Sequence, residues 1–248
     1  MIRLAVMLTL LTAITAGAWT QDVLMGGAYA RRGASGAPYV PTAATNLVFR
    51  WSFNSGDTNN TPDESGNGNY AYNGDGNGPT IASGYASFSG SNYVRTVSTN
   101  LLNGSNEFTA TCWIWIDSFV TYSFLFSSYA ATKYCGIEFD TTASRKIYCL
   151  YALSGGAVLS SVAVPTGQWA FVSAYGEFGG TKGVFIDGVS TNKSTGSATA
   201  ITVIAPWCVG SHPAYTARGF VGKMDECRLY NRKLSTNEIN TVMSEGRP

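Results

Sequence analysis

Apolar and polar positions alternate along most of this chain. Leu47, Phe49, Trp51 and Phe53 are interleaved with Val48, Arg50 and Ser52, a period of two that predicts a strand with one buried face. Phe108, Ala110, Cys112, Ile114 and Ile116 alternate with Thr109, Thr111, Trp113 and Trp115, which predicts a longer strand covered in part on both faces. Further strands are predicted at Tyr85 to Phe88, Lys133 to Asp140, Lys146 to Leu153, Trp169 to Tyr175, Gly183 to Ile186, Ala200 to Ile204 and Met224 to Tyr230. Asp187-Gly188 follows Val184-Phe185-Ile186 directly and predicts a tight turn. Many short strands between Gly- and Asn-rich turns point to an all-β fold of two antiparallel sheets, a sandwich or jelly roll. One short C-terminal helix is predicted. Ser235-Thr236-Asn237-Glu238 is a capping box, and Ile239 and Val242 give the helix one apolar face.

The first 45 residues break this pattern. Met1-Ile2-Arg3 is a short basic start, Leu4 to Ala18 carries no charge, and Ala16-Gly17-Ala18 supplies small residues at a cleavage spacing. This is the layout of a secretory signal peptide, and the run is short of the ~20 residues a membrane-spanning helix needs. The alternative is a retained N-terminal segment, with Thr9, Thr12 and Thr15 as a mildly polar stripe. Residues 19–45 read as a linker or arm, because Gly26-Gly27, Gly33, Gly36, Pro38 and Pro41 break regular elements. Residues 46–248 form the predicted jelly-roll domain.

Composition narrows the function. Lys plus Arg is 16 and Asp plus Glu is 15, a net charge of +1, and charged residues are only 12%. That leaves no footprint for nucleic acid. A 45% hydrophobic content excludes intrinsic disorder. The lone His212 excludes His-rich metal sites and most His-based catalysis, and its Gly210-Ser211-His212-Pro213 setting predicts an exposed turn.

Seven segments, in order, carry a resemblance. Leu47 to Phe53, Asp63 to Asn69, Ala86 to Val94, Phe108 to Trp115, Gln168 to Val172, Phe185 to Gly188 and Gly222 to Ser235 resemble the laminin-G-like jelly roll of the concanavalin A-like lectin/glucanase superfamily. The last, Gly222-Lys223-Met224-Asp225-Glu226-Cys227-Arg228-Leu229-Tyr230, is the most specific. The superfamily includes lectins, adhesion modules, structural domains and glycosidases, so fold alone does not settle function. Its sandwich glycosidases carry a Glu-x-Asp-x-x-Glu strand. Glu138-Phe139-Asp140 begins that pattern, but Ala143 stands at the third position, and the pair is expected on a solvated face near a hairpin end. No catalytic residue is assigned.

Calcium is the candidate cofactor. The Asp63 to Asn69 loop is rich in oxygen donors, and Gly66 and Gly68 let its carbonyls converge. The resemblance adds Asp225, making Asp63, Asn67 and Asp225 the candidate ligands. The alternative is that Ser65, Asn67 and Asn69 make turn hydrogen bonds to backbone. For glycans, Tyr70, Tyr72, Trp207 and Tyr215 flank Gly-rich turns and are the candidate contacts. If the chain is exported, Cys135 and Cys149, symmetric about a hairpin tip near residue 142, are the candidate bridge, with Cys208 and Cys227 a weaker pair and Cys112 a free core thiol; the alternative is that all five are small core hydrophobes. Asn59, Asn103 and Asn192 begin glycosylation sequons.

These features predict a non-enzymatic, extracellular or surface-displayed structural or adhesion protein. It would be a subunit or decoration of an assembly such as a virion or filament, partnered by a glycan or a surface protein. A retained arm would favour self-association. The alternatives are a secreted lectin-like module whose signal peptide is cleaved and a divergent glycoside hydrolase.

Overall fold

The structure, a computed structural model, describes residues 23–25, 28–30, 45–54, 60–73, 75–82, 84–102, 104–130, 133–140, 142, 144–151, 157–177, 180–195 and 205–246. The chain divides into two units, Met1–Val40 and Pro41–Pro248. In the first, β1 (Val23–Met25) pairs antiparallel with β2 (Ala28–Ala30). The signal-like segment 1–18 and the strand predicted at Ala200 to Ile204 lie outside the described residues.

The second unit begins with β3 (Leu47–Trp51), β4 (Asn60–Thr61), β5 (Ala71–Tyr72), β6 (Thr80–Ala82), β7 (Tyr85–Ser89) and β8 (Val94–Arg95). It continues through β9 (Glu107–Ser118), β10 (Phe124–Ala130), β11 (Lys133–Phe139), β12 (Ile147–Tyr151) and β13 (Ala157–Leu159). The last strands are β14 (Trp169–Glu177), β15 (Thr181–Ile186), β16 (Val189–Thr195), β17 (Cys208–Val209) and β18 (Val221–Tyr230), followed by α1 (Thr236–Glu245). The first sheet runs β16-β15-β14-β9-β18-β7-β6, and β3 also pairs with β18. The second runs β13-β12-β11-β10-β17-β8-β5-β4. Each named pairing within these two sheets is antiparallel, as a jelly roll requires.

Alternation places the core. Phe49, Trp51, Phe108 and Ile114 of the first sheet and Phe126 and Ile137 of the second lie in one buried cluster between the sheets. Intervening residues point to the two outer faces. The β15–β16 turn has Asp187 at φ 49° and Gly188 at φ 74°, the two positive values of a type I′ hairpin, as Asp-Gly predicts. The Asp187 carboxylate also accepts from the Phe171 amide at 2.9 Å.

α1 closes the outer face of the first sheet. Its capping box forms on both sides: Ser235 Oγ accepts from the Glu238 amide and Glu238 accepts from the Ser235 amide at 2.7 Å. Ile239 and Val242 then pack with Trp113, Phe171, Phe185 and Tyr230 in a second apolar cluster. Beneath the helix lies a buried ion network. Arg228, 0% exposed, donates to Glu245 at 2.6 Å and to Glu226 at 2.8 Å. Arg50 grips the same Glu226 with two bonds of 2.8 and 2.7 Å. Burial alone would lower the Arg228 pKa, but the glutamates outweigh it and raise it. Burial alone would raise that of Glu226, but Arg50 and Arg228 hold it down at about 2. Among the described residues no helix is long and apolar enough to cross a membrane.

Candidate functional site

The outer face of the second sheet has a different character. Ladder partners define a row of outward residues across it: Leu150, Gly136, Ser127, Cys208, Arg95 and Tyr72. Ala71 and Val94 point into the core, so their neighbours Tyr72 and Arg95 point out. Tyr72 is 40% exposed and Tyr70, just before the strand, is 49% exposed. Arg95 is half-buried and ion-paired to Asp75 at 3.5 Å, and Asp75 also accepts from the Tyr93 hydroxyl. Burial, together with that bond, pushes Tyr93 up to about 12, so its hydroxyl keeps its proton and donates near neutral pH.

The middle of the row is a floor without reach. A Cβ on Gly136 would lie 2.2 Å from the Phe126 carbonyl oxygen, so only glycine lets β10 and β11 approach this closely. Beside it Ser127 and Cys208 are buried. Burial pushes the Cys208 thiol up to about 12, which removes it as a nucleophile near neutral pH.

One wall is aromatic. The loop after β17 (Cys208–Val209) folds back so that His212 and Tyr215 meet Tyr129 at 5.7 and 5.3 Å and Phe124 at 6.5 and 6.2 Å between ring centres. The Tyr215 amide donates to the His212 carbonyl, so the expected turn forms. His212 itself is buried, 8% exposed, which corrects the expectation of an exposed loop side chain. Its Nδ1 accepts from the Ala214 amide at 3.1 Å, which leaves the proton on Nε2. Burial, and secondarily the charge of Arg95, lowers its pKa and keeps the ring neutral. Arg218 lies over the Tyr215 and Tyr122 rings at 5.2 and 4.9 Å.

Glu138 stands opposite Phe124 and Tyr148 in the ladders, on this same face, with Asp140 two residues on. Both are buried, 7% and 3% exposed, not solvated as the sequence predicted. Asp140 Oδ2 accepts from Thr142 and Ser144, while its Oδ1 is buried with no partner among the described residues.

The other candidates fare differently. Trp207 is 2% exposed in the core and packs on Phe108 at 6.0 Å, so it presents no face to a ligand. Tyr70, Tyr72 and Tyr215 are at least partly accessible.

Two of the candidate calcium ligands, Asp63 and Asn67, are engaged with backbone. Asp63 accepts three backbone amides: Arg50 at 3.0 Å, Ser65 at 2.9 Å and Asn69 at 2.8 Å. Asn67 turns its amide nitrogen to the Leu47 and Val48 carbonyls at 2.6 and 3.3 Å. The loop is thus a pin that ties β3 (Leu47–Trp51) down, as the turn alternative predicts. Asp225 is buried, and burial, then the charge of Glu226, raises its pKa to about 8. The positive charge is already supplied by Arg50, which reaches Glu226 and, at 3.4 Å, Glu64. Among the described residues no group of three His, Cys, Asp or Glu is placed to hold a metal.

The predicted disulfides are absent; all five cysteines are free and buried. In the β11–β12 hairpin Cys135 stands opposite Tyr151 and Cys149 opposite Ile137. The two cysteines are therefore diagonal neighbours, about 7–8 Å apart between α-carbons, beyond a disulfide's reach. Cys208 and Cys227 belong to different sheets. Of the sequons, Asn192 is exposed and donates to the Leu159 carbonyl at 2.9 Å, while Asn59 and Asn103 lie outside the described residues.

Sequence reasoning missed Arg95, Asp75, Ser127, Gly136 and Tyr129. Strand alternation would have found Arg95 next to Val94. The others needed the pairing register.

Comparison with known proteins agrees with this architecture. A laminin G family model, described as the concanavalin A-like lectin/glucanases superfamily, matches residues 88–240. The chain belongs to this superfamily. Solved structures similar to this concanavalin A-like domain include domain 4 of AbnA, a GH43 extracellular arabinanase from Geobacillus stearothermophilus, in complex with arabinotriose. That match has 20% identity and a TM-score of 0.61, covering 80% of this chain and 98% of that one. Trypanosoma rangeli sialidase with a difluoro-KDN ligand matches at 16% identity and a TM-score of 0.64, over 85% of this chain but only 34% of the sialidase. The binding domain of Paraclostridial Mosquitocidal Protein 1 matches at 13% identity and 0.61, over 82% and 52%. At these identities the concanavalin A-like fold is what is shared. No curated protein sequence matches the chain.

Proposed function

We propose that this protein is a non-enzymatic glycan-binding module, displayed outside the cell as an adhesion or decoration subunit, whose site is the outer face of the second sheet. The observation that carries this reading is the row Gly136, Ser127, Cys208, Arg95 and Tyr72 beside the His212, Tyr215 and Tyr129 wall. A sugar offers an apolar C–H face and a rim of hydroxyls. It needs aromatic surface with a few fixed donors and acceptors, and this face supplies both. Tyr72 gives the aromatic surface, Arg95 held by Asp75 gives a fixed donor, and neutral His212 offers an Nε2 donor. Support by likeness comes from the AbnA domain, whose structure contains arabinotriose.

The test is a glycan array followed by titration calorimetry with the best ligand. Binding is expected to fall at least tenfold in Arg95→Ala and in Tyr72→Ala. An empty array, or variants that bind like wild type, would sink the reading.

A second reading rests on one observation. Glu138 and Asp140 share this face, and Asp140 Oδ1 has no partner among the described residues. Paired carboxylates on one face are the machinery of glycoside hydrolysis. Sugar release by wild type that vanishes in Glu138→Gln would replace the binding-only reading with a hydrolase.

A further inference from the structure

We propose that Cys112 and Cys227 are the disulfide-forming pair of this chain, joining the central strands β9 and β18 when the protein folds in an oxidising compartment. Register carries the argument. Asp225 stands opposite Trp113, and Arg228 stands opposite Thr111, so Glu226 and Cys227 together face the single residue Cys112. This is a β-bulge. Without the extra residue Cys227 would oppose Thr111, whose side chain points to the other face of the sheet. With it, Cys227 and Cys112 both point into the core, each 0% exposed.

The bulge is held in place. Glu226 absorbs it at φ 50°, a left-handed conformation that a non-glycine residue adopts only at a cost. The bonds from Arg50 and Arg228 to its carboxylate keep it there. Cys227 and Cys112 lie within side-chain hydrogen-bonding reach of one another. Directly facing positions in an antiparallel ladder lie about 4.5–5.5 Å apart between α-carbons, inside the window for a disulfide. The three other cysteines have no such partner: Cys135 and Cys149 are diagonal, and Cys208 lies on the second sheet facing out.

The chemistry balances with a small-molecule disulfide as oxidant. The Cys227 thiol loses its proton, and the thiolate attacks oxidised glutathione and releases one reduced glutathione. The Cys112 thiolate then displaces the second glutathione and closes the S–S bond. Two thiols are oxidised and one glutathione disulfide is reduced to two thiols. Burial raises the Cys227 thiol pKa and walls it off, so the exchange belongs to the folding chain and not to the finished domain.

The full 248-residue chain, refolded with oxidised and reduced glutathione, alkylated under denaturing conditions and digested without reductant, tests this. The expected result is one linked peptide pair containing Cys112 and Cys227, with Cys135, Cys149 and Cys208 alkylated. Protein refolded in reductant should melt about 10 °C below protein refolded under oxidising conditions, since the bond would close a loop of about 115 residues. The Cys112→Ala variant should show no linked pair and no response to reductant. If its refolding fails, Cys227→Ala reads the same point. A different linked pair, or five alkylated cysteines in folded wild type, would overturn the proposal. The outcome is independent of glycan binding.

Discussion

The two outer faces of this sandwich are built to opposite ends. On the first sheet, α1 covers Trp113, Phe171 and Tyr230, and the charges beneath it are consumed by one another: Arg50, Arg228, Glu226 and Glu245. On the second sheet, charge and aromatic surface stay within reach of solvent at Tyr72, Arg95 and Tyr215. Both faces contain arginine, carboxylates and tyrosine, so composition does not separate them. What separates them is whether a later segment of chain comes back to satisfy those groups. A closed face contributes stability, and an open face leaves interactions for something else to complete.

That contrast can be broken in order of expected size. Arg228→Ala would leave Glu226 and Glu245 buried beside an absent partner, costing about 3–5 kcal/mol in chemical denaturation. Glycan affinity measured below the transition should stay within twofold. If it collapses while the fold persists, the two faces are not independent. Next in size is the Asp225 carboxyl. Its folded pKa of about 8 lies above the unfolded value near 3.9, so the folded state holds the extra proton between the two. Stability from this group is therefore full below about pH 4 and lost as pH rises to 8. Asp225→Asn should flatten that decline in melting curves. An unchanged pH profile would mean that the carboxyl is not desolvated as described, and a midpoint raised by calcium in wild type would restore the ion to this loop.

Ser235→Ala removes the cap of α1 and should cost about 1 kcal/mol, the helix fraying off the closed face. A loss of glycan binding in this variant would contradict the separation. Smallest in stability is Tyr72→Ala, within about 0.5 kcal/mol of wild type because the residue lies on the solvent-facing side of the sheet. A much larger cost would show that the tyrosine packs instead of waiting for a ligand.

Much of the fold was legible in the chain because its signals are local. Period-two alternation announced the strand Leu47–Trp51, the Asp187-Gly188 turn announced a hairpin, and Ser235 with Glu238 announced α1. Pairing signals are not local, and there the reading failed. The β11–β12 hairpin is centred one residue later than symmetry about 142 supposed, which sets Cys135 opposite Tyr151 and undoes the expected bridge. The bulge at Glu226 shifts the alternation, with core residues at Met224, Cys227 and Leu229, but only the pairing register shows that the neighbour of Cys227 is Cys112 and not Cys208. The calcium loop was located correctly as a turn. The Asp63 carboxylate, however, faces backbone amides, and donor chemistry alone does not reveal direction.

The strand Val221–Tyr230 makes ladders with β9, β3 and β7 at once. Until those ten residues have been synthesised, the first sheet has no middle: β14 to β16 can gather on β9, but β3 and the β6–β7 hairpin cannot be joined to them. Every earlier strand of that half must wait, partly formed, for a segment made some 170 residues after Leu47–Trp51. Such a topology folds slowly and late.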